Sequence, residues 1–410
     1  MTALNARARR NAALTLFVAR AIYAFSWYNI GAVVTSIESG LHIGVATFGL
    51  VLGAFLVGAA VFQIPAGFAA MRWGSRTVSV AALAIMGSFA LASAFSPDWY
   101  VLAALRFGVG AGAAFFFAPG LGLVASYFPS GSRGPVIGLY NAGFSVGAAT
   151  GLIVGAALGV AFGWPWALGV GGLGLLVAAL AAAVVLPRTT VPTLGRSLSQ
   201  LWNAARPVLR SRPLWALSLA LTGLWAAFYI VAQYFVAFAS SAHPSWPVEL
   251  AVSLPTVMIV LEVVGGPVGG LWGERSRDMR WVLVLAGVPC GIAVLLIPFL
   301  PLAVLIPLFV FLGFGAGAVF AVLYLLPSHY PGIQGEGFAL ALALLNCVQI
   351  FAGSALAIAF GFIAADVGYT DAWLFAGGIG VATLILLAGA RGSPVLSEQP
   401  IDPVAPRRID

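Results

Sequence analysis

Between Arg280 and His329 the chain reads WVLVLAGVPCGIAVLLIPFLPLAVLIPLFVFLGFGAGAVFAVLYLLPS, residues 281–328, without one Asp, Glu, Lys or Arg. A helix needs roughly 20 mostly apolar residues to cross the hydrocarbon core of a bilayer. This run holds two such lengths, parted by Pro301. The same grammar continues in both directions. Apolar runs set between polar punctuation predict spans near 11–37, 46–70, 77–95, 99–128, 134–160, 164–186, 213–240, 248–272, 281–300, 302–327, 336–363 and 371–390. Gly and Pro inside these runs would argue against helices in water. In a membrane they are ordinary, because small residues let helix backbones approach closely.

Composition agrees with this segmentation. Hydrophobic residues make up 61% of the 410 and charged residues 8%, where a soluble domain carries roughly 25% charged residues. No water-soluble fold of this length hides so much apolar surface. The chain has room for twelve spans but not for a sizeable soluble domain as well, so one all-helical membrane body is expected. The net charge of +7 does not point to nucleic acid, because the basic residues are all Arg and alternate between connections. Cys290 and Cys347 fall inside apolar runs without metal-ligand spacing and read as core residues. The first apolar stretch follows Arg7, Arg9 and Arg10, is long and lacks a small-residue cleavage site. It is expected to stay attached as the first span.

Orientation follows from arginine placement, since positively charged connections are retained in the cytoplasm. Arg72 and Arg76, Arg133, Arg188 to Arg212, Arg275 to Arg280 and Arg391 onward all fall on the side of the N-terminus. The opposite connections carry Glu38, Asp98, Glu249, Asp366 and Asp371 but no Arg. Both termini are therefore expected in the cytoplasm of a cell membrane. The basic stretch 187–212 reads as a cytoplasmic linker, a solvated loop beside anionic headgroups. It would divide a six-span half at 1–186 from a second at 213–410. Similar strings recur at offsets of 202 to 205 residues: Arg20-Ala-Ile-Tyr23-Ala-Phe-Ser-Trp27 with Thr222-Gly-Leu-Trp225-Ala-Ala-Phe-Tyr229, Gly67–Arg76 with Gly270–Met279, and Gly108–Ala113 with Gly313–Ala318. Parallel repeats of six spans are one arrangement used for alternating access.

Two motifs carry a resemblance to a known family. Gly67-Phe-Ala-Ala-Met71-Arg72-Trp-Gly74-Ser-Arg76, between the second and third spans, resembles the G-x-x-x-D-R-x-G-R-R pattern of the major facilitator superfamily. Arg106-Phe-Gly-Val-Gly110-Ala-Gly112 in the fourth span is similar to that family's R-x-x-x-G-x-G element. The resemblance implies a twelve-helix secondary transporter with a cytoplasmic gate at Gly67, Arg72, Gly74 and Arg76 and at Gly270, Glu274 and Arg275. Met71 stands where the family usually has Asp, while the second copy keeps Glu274, so the gate is expected to lean on the C-terminal side. In the fifth span Gly143, Gly147, Gly151, Gly155 and Gly159 recur every fourth residue, a flat ridge for close packing. No Pro follows Gly147, unlike the family's exporters, which tilts the reading away from a drug/proton antiporter.

A charged side chain at membrane depth costs roughly 2.5–3.5 kcal/mol on insertion scales and calls for a partner or a wet cavity. Arg20 follows Arg10 by a helical rise of about 15 Å, and Glu262 lies about 16 Å from the inner end of its span. Two readings follow: a static ion pair, or an anion site at Arg20 with Glu262 as the proton-titrating group. A guanidinium stays charged and grips a carboxylate through two parallel hydrogen bonds, whereas a carboxyl group withdrawn from water favours its neutral form. Arg106 is either a second anion contact or a structural donor. Tyr23 and Trp27 share the Arg20 helix face, Trp225 and Tyr229 are their repeat mates, and Asn346 and Gln349 add neutral polar groups. These are the candidate substrate contacts. His42, His243 and His329 sit near span ends, as surface histidines do.

No nucleophile and base pair, metal-ligand spacing or phosphate-binding loop is evident, so neither an enzyme nor a cofactor is expected. The function expected is proton-coupled uptake or exchange of a small organic anion by a monomer. The alternatives are a multidrug/proton exporter and a non-transporting sensor on the same scaffold. The topology is testable in a cysteine-free variant. An impermeant thiol reagent added outside intact cells should label Ser241→Cys and not Ser199→Cys, and labelling at Ser199→Cys would reverse the orientation.

Overall fold

The computed structural model describes residues 5–128, 130–188, 206–276, 278–330 and 336–388. Among them, twelve helices are long and apolar enough to cross a membrane: Ala6–Leu41, Val45–Ala70, Ser75–Ser93, Trp99–Val124, Leu139–Phe162, Trp164–Val185, Arg212–Ala242, Val248–Arg275, Met279–Phe299, Leu302–Leu325, Ala341–Asp366 and Tyr369–Leu387. Helices are the required solution, since in hydrocarbon every backbone polar group must find its partner within the segment. The sixth span shows the resulting pattern. Leu173, Val177, Leu180 and Val184 form an exposed apolar stripe, while Leu175, Ala178, Ala179 and Ala182 face the bundle. Most of the linker expected at 187–212, and the tail beyond 388, lie outside the described residues.

Two spans are less regular than the sequence predicts. The first is a helix over Ala6–Tyr28, a 3-10 turn over Gly31–Val33 and a second helix over Val34–Leu41. At the break the Asn29 side-chain amide donates to the Ala167 carbonyl of the sixth span at 2.8 Å. The second span divides at Phe62, between helices Val45–Val61 and Gln63–Trp73. Pro65 explains this, because its ring displaces the carbonyl four residues earlier, that of Val61, and supplies no N–H to it. Gly74, at φ +82°, turns the chain into the third span in a conformation that side chains rarely adopt.

The glycine ridge of the fifth span meets the first span residue for residue. A Cβ on Gly143, Gly147 or Gly151 would press on the carbonyl oxygens of Phe17, Ala21 and Phe25, one on Gly155 would crowd Asn29, and one on Gly159 would collide with Val33. Both helices thus step together every fourth residue, and backbone contact fixes where Arg20, Tyr23 and Trp27 stand. The fourth and tenth spans use the same device. Gly110 admits the Phe55 carbonyl and Gly313 the Met258 carbonyl, two contacts related by a single offset of 203 residues, which pairs Gly313 with Gly110 and not with Gly108 as the similar strings suggest.

The bundle is closed on the face opposite the termini. There Gln233 of the seventh span donates through its amide to the Trp27 carbonyl at 3.4 Å, and Gly31 leaves space for the Gln233 side chain. The Tyr234 hydroxyl donates to the Ala357 carbonyl at 2.9 Å, and Gly49 and Gly361 bring the second and eleventh spans into backbone contact. On the other face Gly67 and Gly270 border open space, and Trp73, Leu271 and Trp272 are exposed.

The ridge generates a stability prediction. Gly147→Leu forces a side chain onto the Ala21 backbone, and overpacking of this kind costs about 1–3 kcal/mol. Its melting temperature in detergent should fall clearly below that of Gly378→Ala, at a position with nothing within 4 Å of an added Cβ. Equal melting temperatures would mean that the ridge does not hold the two spans.

Candidate substrate site

The Arg20 side chain leaves the first span beside Gly143 of the ridge and enters a cage of rings. Its guanidinium carbon lies 4.5 Å from the Tyr23 ring centroid, 4.6 Å from Phe144, 4.9 Å from Phe117 and 5.2 Å from Tyr140. Only 5% of the residue is exposed. Cation–π attraction reaches about 2 kcal/mol in desolvated settings and offsets part of the cost of burying the charge. It does not satisfy the N–H groups: Nε and Nη1 are buried without a hydrogen-bond partner among the described residues.

Arg106, from the fourth span, is buried more deeply, at 1% exposure. Its guanidinium lies 4.9 Å from the Phe55 ring centroid, and Nη1 donates to the Ser26 carbonyl at 3.3 Å. Nε and Nη2 are left unpartnered. The Tyr229 hydroxyl of the seventh span lies within electrostatic range of Arg106 and is also buried without a hydrogen bond among the described residues. Tyr229, chosen from the sequence only as a repeat mate, thus belongs with Arg106. Trp225 stacks on it with centroids 5.5 Å apart and planes 5° apart, and its ring fills the space over Gly353 in the eleventh span.

The static ion pair weighed for Arg20 and Glu262 is absent. Glu262 stands on the face of the eighth span that packs on the tenth, where the missing side chain of Gly317 makes room for its backbone carbonyl. Arg20 is drawn the other way, into rings of the fourth and fifth spans. No ion pair or hydrogen bond engages the Glu262 carboxylate among the described residues, and the side chain is partly exposed. Both charges instead bear on the same two phenols, Tyr28 and Tyr324. Tyr324 in turn donates to Asn346 Oδ1 at 3.5 Å, and Gln349, fully buried, keeps both amide atoms unpartnered.

The expected gate residues are dispersed. Arg76 reaches the last carbonyls of the sixth span, donating through Nε to Leu186 at 2.8 Å and through Nη2 to Ala183. That is a favourable place for a cation, since those carbonyls carry the negative end of the helix dipole. Arg72 is exposed and lies over the Trp73 ring at 5.6 Å, and Glu274 and Arg275 are exposed. The Met71 side chain is outside the described set. Cys290 is buried and Cys347 touches the Ala60 carbonyl, as core residues do. His243 stacks on Trp246 at 4.1 Å at the end of its span.

Sequence reasoning missed Tyr28, Tyr140, Phe144, Tyr324, Asn29 and Gln233. Asn29 and Gln233 carried the same signal as Asn346 and Gln349, a polar amide within an apolar run. The aromatic residues carried none, since rings line most of these helices.

Comparison with known proteins now adds to this geometry. The family model described as Major Facilitator Superfamily matches residues 16–353. The chain belongs to the Major Facilitator Superfamily. Its twelve apolar helices make it a multi-pass membrane protein. It is 33% identical over 160 residues to the 4-hydroxybenzoate transporter PcaK of Pseudomonas aeruginosa, covering 39% of this chain and 36% of that one. It is also 33% identical over 146 residues to a gallate transporter of Pseudomonas putida, covering 35% and 32%. These matches span about a third of each relative's length. The fold is shared with a bacterial homolog of the human lysosomal transporter Spinster in an inward-facing, unoccupied conformation. That likeness has a TM-score of 0.73 at 18% identity and covers 94% of this chain and 96% of the other.

The Gln233 contact to the first span is testable. Losing one net hydrogen bond costs about 1 kcal/mol, which shifts a two-state population about fivefold. Spin labels at Ser39→Cys and Ser241→Cys should report a larger share of long distances in Gln233→Leu than in the parent. An unchanged distance distribution would remove Gln233 from the closure.

Proposed function

We propose that this protein is a secondary active transporter coupling proton movement to uptake or exchange of a small organic anion, working as a monomer by alternating access. One observation carries the reading: two guanidinium groups, Arg20 and Arg106, lie buried with unpartnered N–H groups and, among the described residues, no carboxylate in salt-bridge contact. Uncompensated buried charge is strongly unfavourable, and a bound carboxylate supplies the missing countercharge together with charge-assisted hydrogen bonds. The rings around Arg20 suit an organic body better than an inorganic ion. Two of the similar proteins are named for carrying 4-hydroxybenzoate and gallate, both small carboxylic acids. An exporter of bulky cations fits less well, since its ligand would meet two fixed positive charges against one acid.

In this proposal Arg20 grips the carboxylate and Glu262 carries the coupled proton. Glu262 and Arg20 lie within electrostatic range of the same phenols, Tyr28 and Tyr324, without pairing, so in this proposal the protonation state of Glu262 and the occupancy of the Arg20 site influence each other through space. The six-span halves at 1–186 and 213–410 rock about this site. Arg72, Arg76, Glu274 and Arg275 assemble the gate on the terminus side, which the arginine distribution makes cytoplasmic.

Arg20→Lys keeps the charge but loses the planar two-pronged donor, so affinity for the carboxylate should fall at least tenfold with the protein still folded. Glu262→Gln retains shape without a titrating group. In proteoliposomes its substrate exchange should persist while accumulation driven by a proton gradient disappears. A Glu262→Gln protein that still concentrates substrate up a proton gradient would remove the coupling role.

A further inference from the structure

The proposed Arg20 site leaves a second set of polar groups unused, six to seven residues further along the first span at Ser26 and Trp27. Arg106 Nε and Nη2, the Trp27 indole N–H and the Tyr229 hydroxyl are all buried, at residue exposures of 1%, 6% and 3%, and none has a hydrogen-bond partner among the described residues. Independent contacts bring them together. Arg106 and Trp27 share the Phe55 ring, at 4.9 Å and 4.6 Å, and Arg106 Nη1 bonds the carbonyl of Ser26, next to Trp27. Tyr229 interacts electrostatically with Arg106, and Gln233, one turn beyond Tyr229, bonds the Trp27 carbonyl. Three spans, the first, fourth and seventh, thus contribute to one cluster.

The chemistry of the cluster is one-sided. An arginine and an indole donate and do not accept, and a phenol donates readily. A cluster of donors around a permanent cation suits an acceptor, best an anionic one. Leaving such donors buried and unsatisfied is unfavourable, so a ligand that satisfies them gains selectivity over one that does not. Rings line the interval to Arg20: Tyr23 packs on Trp27 at 5.6 Å and on Phe116 at 5.5 Å. Ser26 lies six residues beyond Arg20, a helical rise of about 9 Å.

We infer that Arg106, Trp27 and Tyr229 form a second anchoring subsite, and that the transported anion is two-ended: a rigid apolar body with a carboxylate at Arg20 and a second carboxylate, or comparable acceptor, at Arg106. The inference rests on the anion-transport reading and deepens it. Charge supports it as well. With Glu262 protonated the interior holds two guanidinium cations, which a dianion balances and a monoanion does not.

The test is equilibrium binding to the full-length protein in detergent, comparing benzoate with benzene-1,4-dicarboxylate and reading the ratio of their dissociation constants. The parent should prefer the dicarboxylate at least tenfold. Arg106→Gln should collapse that ratio toward one, and Tyr229→Phe should lower it by a smaller factor. Arg106→Lys retains the charge and serves if the glutamine variant does not fold, and its ratio should lie between the two. A parent ratio near one, or a preference undiminished in the folded Arg106 variants, overturns the second subsite while the anion-transport reading stands. Failure of the parent to bind either acid, or binding of both that is indifferent to Arg20→Lys, overturns that reading and the inference with it.

Discussion

A guanidinium cannot shed its proton at any pH a cell meets, so a protein that carries one into a bilayer must arrange its surroundings to tolerate a fixed charge. Here the surroundings are rings and not acids. Arg20 rests among Tyr23, Phe117, Tyr140 and Phe144, and Arg106 rests on Phe55. Aromatic faces stabilise a cation without cancelling it, which leaves the positive potential available to a ligand. A neighbouring Asp or Glu would have extinguished it. The distance kept from Glu262 has the same effect, since an intimate pair would have traded recognition for stability.

Such an arrangement demands rigid placement, and glycine supplies it. Backbone-to-backbone contact between the first and fifth spans removes the slack that intervening side chains would introduce. In lipid no hydrophobic driving force draws one helix to another, so close van der Waals packing has to do so. The abundance of glycine, 50 residues in 410, is the material from which these contacts are made.

Much of this was legible in the sequence. Span number and location follow from apolar run length, and the twelve helices fall where the runs fall. Arg20, Arg106 and Glu262 announce themselves as charges inside those runs, and the four-residue glycine period in the fifth span announces a packed ridge. Less was legible where a property depends on a partner. The spacing of Arg20 and Glu262 left an ion pair open, because depth along a helix says nothing of rotation about its axis. The break at Phe62 was readable from Pro65. The break at Asn29 was not, since its cause is the Ala167 carbonyl on a helix more than a hundred residues away.

Trp27 belongs to two structures at once. Its carbonyl takes the bond from Gln233 that helps to close one face of the bundle, and its indole N–H belongs to the donor cluster around Arg106. One residue therefore stands in both the donor cluster and the closure. Thermodynamic linkage makes such sharing reciprocal: whatever free energy a ligand gains by favouring one position of this residue, the closure gains equally in favouring the ligand. The first span in this sense is less a wall of the site than a common coordinate for occupancy and access.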